Sequence, residues 1–310
     1  MINLLDKNTV LKFIRESAIN TFKDLHNNRS LSNQQKTKLM NEKLETILQY
    51  LINIADDTYK MPEKTYAAFL VYYCWIIVSF ESRNYLWKYE SMDLSRRSGE
   101  LWENLLKVCW KYSIHKDVKD FKAPDFNTVA NQIKQAHLIS LQNKRICKEL
   151  ISEVYGEYEK IWSILGDSIN LDSDKLFETA TDKYIIDFKG SYGSNEKGNK
   201  ERLLTVARVY DLLNSYRLTD KPYRCILAVR TIDGEAHNYL RQLESSGLWT
   251  VVRGIDVYKM IYHFTGFDIL GFIMENNLSL VEDFDENTRN YMNSKFTSKQ
   301  KLSFAEYYLT

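Results

Sequence analysis

Glycine is almost absent from the first half of this chain. Residues 1–150 hold a single one, Gly99, whereas Gly190, Gly193, Gly198, Gly234, Gly247, Gly254, Gly266 and Gly271 crowd the later part. Glycine is costly inside helices and favoured in tight turns, so the distribution predicts long helices followed by a turn-rich α/β segment. Leu11, Ile14, Ala18, Phe22 and Leu25 recur at helical spacing behind an expected cap at Asn8. Ser32 with Gln35 three residues later forms a capping-box pattern ahead of Leu39, Leu44, Leu48, Leu51 and Ile52. A third helix is expected from about Thr65 to Phe80, and a fourth carries Leu101, Leu105, Val108 and Cys109. Residues 111–126 are polar, contain Pro124 and read as a connector.

A long helix is then expected from Thr128 to Leu165, with Ile146, Leu150, Val154, Ile161 and Leu165 as its buried stripe. After it the hydrophobic period changes. Leu176–Thr179 and Tyr184–Lys189 read as strands around a turn at Thr181-Asp182, and Glu201–Tyr216 as a helix. Arg224–Val229 and Trp249–Val252 read as further strands, and Asp256–Phe264 as a helix. The order predicts an α/β fold: a helical N-terminal half, residues 1–127, then a mixed sheet flanked by helices, residues 128–310.

Composition narrows the function classes. Lys and Arg total 42 against 41 Asp and Glu, a formal charge of +1, which excludes a histone-like basic arm or an acidic tail but leaves room for a local basic patch. Hydrophobic residues at 44% over 310 positions suffice for a sizeable core and do not suit a disordered chain. Cys74, Cys109, Cys147 and Cys225 form no CxxC pair and lack zinc-ligand spacing, so they are expected to be reduced, mostly buried thiols of a cytoplasmic protein. The start, MINLLDKNTVLKF, lacks the pattern of a signal peptide. The most apolar stretch, Ala67–Phe80, is shorter than the roughly 18 residues a membrane span needs, so no membrane partner is expected.

The chemistry concentrates between Asp174 and Gly190. With a two-residue turn at Thr181-Asp182, Lys189 falls opposite Asp174, and Asp187 opposite Leu176. Residues opposite each other across an antiparallel pair share a face, as do residues two apart on one strand. Asp174, Asp187 and Lys189 are therefore expected to converge at one end of one face. Two gathered carboxylates repel, and a divalent cation removes that cost; oxygen ligands without Cys or His favour Mg²⁺, or Mn²⁺, over zinc. The lysine would orient or deprotonate an attacking water and offset charge on phosphorus, which is the machinery of phosphodiester hydrolysis. Two other D-x-K triplets, Asp117-Val-Lys119 and Asp120-Phe-Lys122, lie in the polar connector with no apolar strand to present them.

This stretch resembles the PD-(D/E)xK nuclease superfamily, with Asp174 as the first acidic position and Asp187-Phe188-Lys189 as the D-x-K element; Ser173 stands where the idealised motif has proline. The resemblance implies a restriction-endonuclease-like sheet, a metal ligand in the main-chain carbonyl of Phe188, and a glutamate from the preceding helix, Glu153 or Glu149, joining the site. A looser resemblance to type II restriction endonucleases lies in Trp249–Phe267: a strand, Gly254, a helix with Tyr258 at its centre, then Thr265-Gly266. Together these imply a type II restriction endonuclease, a homodimer cutting double-stranded DNA.

The loop from Gly190 (GSYGSNEKGNKERLL) and the following residues to 224 carry seven basic and four acidic side chains. Ser191, Asn195, Lys197, Lys200 and Arg202 are the expected phosphate contacts, since hydroxyls, amides and cations all bind phosphate oxygens. The segment lacks the G-K-[ST] ending of a P-loop. Two alternatives stay open: a repair, recombination or phage-defence nuclease of the same fold, and a non-enzymatic helical nucleic-acid-binding or interaction protein.

Overall fold

The structure is a computed structural model and describes residues 2–144, 146–165, 169–189, 197–230 and 238–296. It divides into two compact units. One comprises Met1–Lys116 and the segment from Gly254 onward, the other Asp117–Arg253.

The first unit is helical. It opens with α1 (Lys7–Asn27), α2 (Asn33–Thr58), α3 (Glu63–Leu86) and α4 (Ser91–Lys111). The cap of α1 is Asp6, whose carboxylate accepts from the Thr9 N–H at 2.7 Å, rather than Asn8. All five expected apolar positions of α1 are buried. At α2 the capping box forms as read: the Gln35 N–H donates to the Ser32 hydroxyl, and the Ser32 N–H donates to the Gln35 side chain. Leu39 is exposed and Met40 takes the inward place, because the buried stripe of α2 starts one residue later. Helix α3 is buried nearly all round by α1, α2 and α4. At 24 residues it is longer than the apolar run suggested and by length and composition is able to span a membrane; 83% of its most apolar window is buried within the protein.

The second unit begins with β1 (Lys119–Asp120), α5 (Phe126–Asn143) and α6 (Lys148–Leu165). It continues with β2 (Lys175–Glu178), β3 (Lys183–Lys189), α7 (Lys197–Ser215), β4 (Tyr223–Val229), α8 (Asn238–Ser245) and β5 (Thr250–Arg253). The five strands form one sheet in the order β1-β2-β3-β4-β5, with β1–β2 and β2–β3 antiparallel and β3–β4 and β4–β5 parallel. This is a mixed α/β architecture with helical crossovers serving the parallel strands. Leu176, Ile185, Cys225, Leu227 and Val229 from one face of the sheet join Val129 and Ile133 of α5 and Leu203, Val206, Tyr210 and Leu213 of α7 in a single core. On the opposite face Phe177, Ile186, Phe188 and Ala228 are buried too, which explains the unbroken apolar runs of β3 and β4.

Three expectations about organisation change. The long helix is two helices, because Lys144 leaves helical geometry (ψ 5°) after Asn143. On α6, Ile151 is buried while Leu150 and Val154 are exposed, so the inward stripe is offset by one residue from the one expected. The division at 127/128 moves to Lys116/Asp117: Lys119 and Asp120 pair with Glu178 and Phe177 as an edge strand, which commits the supposed connector to the sheet.

The second unit also ends earlier than residue 310. Gly254, at φ 53°, turns the chain out of β5, and α9 (Ile255–Thr265), α10 (Ile269–Glu275), α11 (Leu280–Asp283) and α12 (Glu286–Lys295) belong to the helical unit. Tyr258 of α9 is buried and accepts a hydrogen bond from Trp102 Nε1 at 3.2 Å; Gly266 caps the helix in the left-handed region at φ 72°. The strand, glycine, helix and T-G run of the second resemblance is present in order, and the border between the units falls at its glycine.

Candidate functional site

The β2–β3 hairpin sets the site. Its register pairs Glu178 with Lys183, Leu176 with Ile185 and Lys175 with Ile186, so the connection is the four residues Thr179–Asp182, closed by the Thr179 N–H donating to the Asp182 carbonyl at 2.9 Å. The expected two-residue turn is therefore replaced by a longer one, and the pairing shifts by two residues. An even shift preserves side-chain parity. Ile185, Asp187 and Lys189 project to the face that packs on α5 and α7, and Asp174, one residue before β2, reaches the same strand end.

Asp174 acts on the backbone of β3. Its Oδ2 accepts the Phe188 N–H at 2.7 Å, taking the place of a ladder partner where β2 stops. Lys183 donates from its backbone to Pro222, and Lys189 accepts from the Arg230 N–H at 3.0 Å, so odd residues of β3 address the β4 side. Alternation then turns the N–H and C=O of Phe188 to the β2 side, beside Asp174.

Asp187 is the centre of the cluster and has no solvent exposure. Its Oδ1 is in an ion pair with Lys189 Nζ, and its Oδ2 lies 3.0 Å from Arg202 Nη2 and 3.4 Å from the Ser173 hydroxyl. Arg202 also donates from Nη1 to the Asp172 carbonyl at 3.2 Å, so one guanidinium of α7 ties the segment before β2 to β3. Two cations beside a buried carboxylate offset part of the cost of taking it out of water.

The remaining expected residues divide. Arg202, read as a phosphate contact, is engaged with Asp187. Lys200 donates to the Gln242 side chain of α8 at 2.6 Å and is not part of the carboxylate cluster. Ser191 and Asn195 lie outside the described residues, as does the side chain of Lys197 at the start of α7. Glu153 and Glu149 are exposed on α6, and no described hydrogen bond or ion pair brings either to Asp187; the offset stripe of α6 turns them to solvent. Among the described residues no group of three or more His, Cys, Asp or Glu is gathered to hold a metal. Two carboxylates and a main-chain carbonyl are what this strand end offers.

The pairing of Arg202 with Asp187 and the presence of Arg230 escape a sequence reading. Arg202 sits one turn before Val206, Val209 and Leu213 on the inward stripe of α7, and a cation on an apolar stripe was the available signal. Arg230 follows the apolar run of β4 directly and is 2% exposed beside the Lys189 backbone. No family model, curated protein or solved structure matches the chain.

Proposed function

We propose that this protein is a metal-dependent DNA endonuclease, and within that class a type II restriction endonuclease acting as a homodimer on double-stranded DNA. The observation that supports the reading is the Asp187–Lys189 ion pair at the carboxyl end of β3, where Asp174 accepts the Phe188 N–H, on the edge of an open α/β sheet where ligands bind. The donor set suits a hard divalent cation in kind. Asp174, Asp187 and the Phe188 carbonyl would hold Mg²⁺ or Mn²⁺, with phosphate and water in the other positions, as is common for Mg²⁺. When bound, the ion supplies Lewis-acid polarisation of a phosphoryl oxygen.

The chain's own groups do the rest. Lys189, turned from Asp187 toward the substrate, orients the attacking water as a hydrogen-bond donor and offsets charge on the phosphate, while the proton of that water passes to solvent. Arg202 offsets the charge that builds on the phosphorus oxygens. The water oxygen bonds to phosphorus, the opposite P–O ester bond breaks, and the departing alkoxide is protonated from solvent.

The test is incubation of the full chain with supercoiled plasmid, with Mg²⁺ or with EDTA. Mg²⁺-dependent discrete fragments support a restriction enzyme. A smear or cutting confined to branched DNA supports a repair, recombination or phage-defence nuclease instead. A second reading rests on Asp187 itself: both of its oxygens already face cations, as in a purely structural ion network. That reading predicts salt-sensitive DNA binding or none, and no cutting.

A further inference from the structure

In the helical unit, α2, the end of α3 and the start of α4 enclose a cavity of about 770 Å³, within the size range of small-molecule sites. It is lined by two buried polar groups whose bonding is incomplete. Tyr89 is 3% exposed, and its hydroxyl has no hydrogen-bond partner among the described residues. The Arg83 side chain is 12% exposed; among the described residues its Nη1 is buried without a hydrogen bond, and the carboxylate of Asp93 lies 3.7 Å from Nη2. The guanidinium is fixed in place by stacking, 4.1 Å from the Trp87 ring centre and 4.8 Å from that of Tyr89. Burial pulls the Arg83 pKa below the ordinary arginine value, so Asp93 does not offset the loss of water. Burial also pushes the Tyr89 phenol up, which keeps it a hydroxyl donor at neutral pH.

Leaving a buried donor unsatisfied is costly, and a neighbouring pair calls for a shared acceptor. The surrounding charges leave room for an anion. Arg96 and Arg97 are both committed to Glu100, at 3.9 and 3.3 Å. With Lys38 and Glu42 from α2, the lining holds four cations against three carboxylates. The remaining surface suits a flat ring: the Trp87 indole is 39% exposed, and the Gln34 and Asn41 amides line the α2 side.

We propose that this cavity binds a nucleoside phosphate, with the phosphate on Arg83 and the Tyr89 hydroxyl and the base against Trp87. It is a second site, independent of the Asp174–Asp187–Lys189 cluster. The phosphate comes either from a free mononucleotide or from the 5′ end of a DNA strand.

Calorimetric titration of the full chain compares dAMP, deoxyadenosine, inorganic phosphate and a 5′-phosphorylated single-stranded oligonucleotide. The expected result is that dAMP binds about tenfold or more tightly than deoxyadenosine or phosphate alone, and that Arg83→Met removes this gain. Tyr89→Phe deletes one oxygen that has no hydrogen-bond partner among the described residues, so it leaves thermal stability unchanged or raised while weakening dAMP binding by about threefold to tenfold. That separation does not depend on the Arg83 variant folding. A phosphorylated oligonucleotide that binds more tightly than dAMP, and loses affinity on Tyr89→Phe, assigns the site to strand ends; the reverse order assigns it to free nucleotides. Failure of both dAMP and the oligonucleotide to bind at millimolar concentration, or equal affinity in Tyr89→Phe and the parent, overturns the proposal.

Discussion

Among the described residues each unit buries one carboxylate almost completely, and the two are held in opposite ways. Glu81 of the helical unit, 3% exposed, receives a two-pronged contact from Arg15, with Nη2 at 2.6 Å from Oε1 and Nε at 3.0 Å from Oε2. The Asp285 backbone N–H adds a third bond at 2.7 Å, and Arg15 also reaches the Asp283 carbonyl. Main chain and a planar fork fix this carboxylate, and the fork joins α1 to α3 and to the end of α11. Asp187 of the α/β unit is held only by side chains among its described contacts: Lys189, Arg202 and the Ser173 hydroxyl. Side chains can exchange partners without moving the fold, whereas backbone bonds cannot. Glu81 is built to fasten and Asp187 is built to trade.

The sharpest break between the two is functional. Lys189→Ala is expected to lower Mg²⁺-dependent plasmid cleavage by about 10²-fold or more, the scale of a lost proton-transfer or charge-stabilising group, while circular dichroism and DNA binding stay near the parent. Unchanged cleavage would remove Lys189 from the proposed chemistry. Stability should show the reverse order. Glu81→Ala leaves a half-buried guanidinium facing a void and is expected to cost about 3 kcal/mol in denaturant unfolding. Asp187→Ala is expected to cost less, about 1 kcal/mol, since no backbone N–H loses its acceptor and Arg202, 37% exposed, keeps the Asp172 carbonyl, although Lys189 is left largely buried. Equal losses would erase the contrast.

A smaller effect sharpens the exchange idea. Arg202→Met removes one competitor for Asp187 and should tighten Mn²⁺ binding by about threefold to tenfold in calorimetry; weaker binding would make Arg202 a support of the site instead.

The least effect is in pH. Burial, the largest influence on Glu81, raises its pKa in spite of Arg15. Relative to Glu81→Gln, the parent therefore loses stability as pH rises through that raised value. Asp182 is shifted the other way, first by the Thr181 hydroxyl and then by Arg224. Its contribution is present above the ordinary aspartate range and is lost as pH falls through the lowered value, so the melting-temperature gap between the parent and Asp182→Asn should close in acid. Gaps moving in the same direction would contradict both assignments.

Parity explains how much of the site the sequence disclosed. The hairpin connection is two residues longer than expected, yet Asp187 and Lys189 keep the face expected of them, because side chains alternate with a period of two, and Asp174 still reaches the same strand end at the Phe188 N–H. A slip of one would have scattered them. Helix phase offered no such protection. The offset of one on α6 turned Glu149 and Glu153 outward, and nothing local announced that Lys144 would end α5. The partners of Asp187 are tertiary: Arg202 arrives from α7, across a segment whose length sets no direction. The same holds for Arg83 and Tyr89, which lie beyond the apolar run Ala67–Phe80 and show their shared surroundings only once α2 and α4 flank them. The unit border hid for a related reason, since a two-residue edge strand such as Lys119–Asp120 has too few residues to show a period.

The central claim is that Asp174 and Asp187 together hold a divalent cation. Asp174→Asn tests it with little disturbance, because the amide oxygen still accepts the Phe188 N–H while the charge is gone. Mn²⁺ titration in the presence of duplex DNA should give one site on the parent chain and an affinity lower by about tenfold or more in Asp174→Asn. A parent that binds no Mn²⁺ under these conditions, or a variant that binds it equally well, would contradict the account.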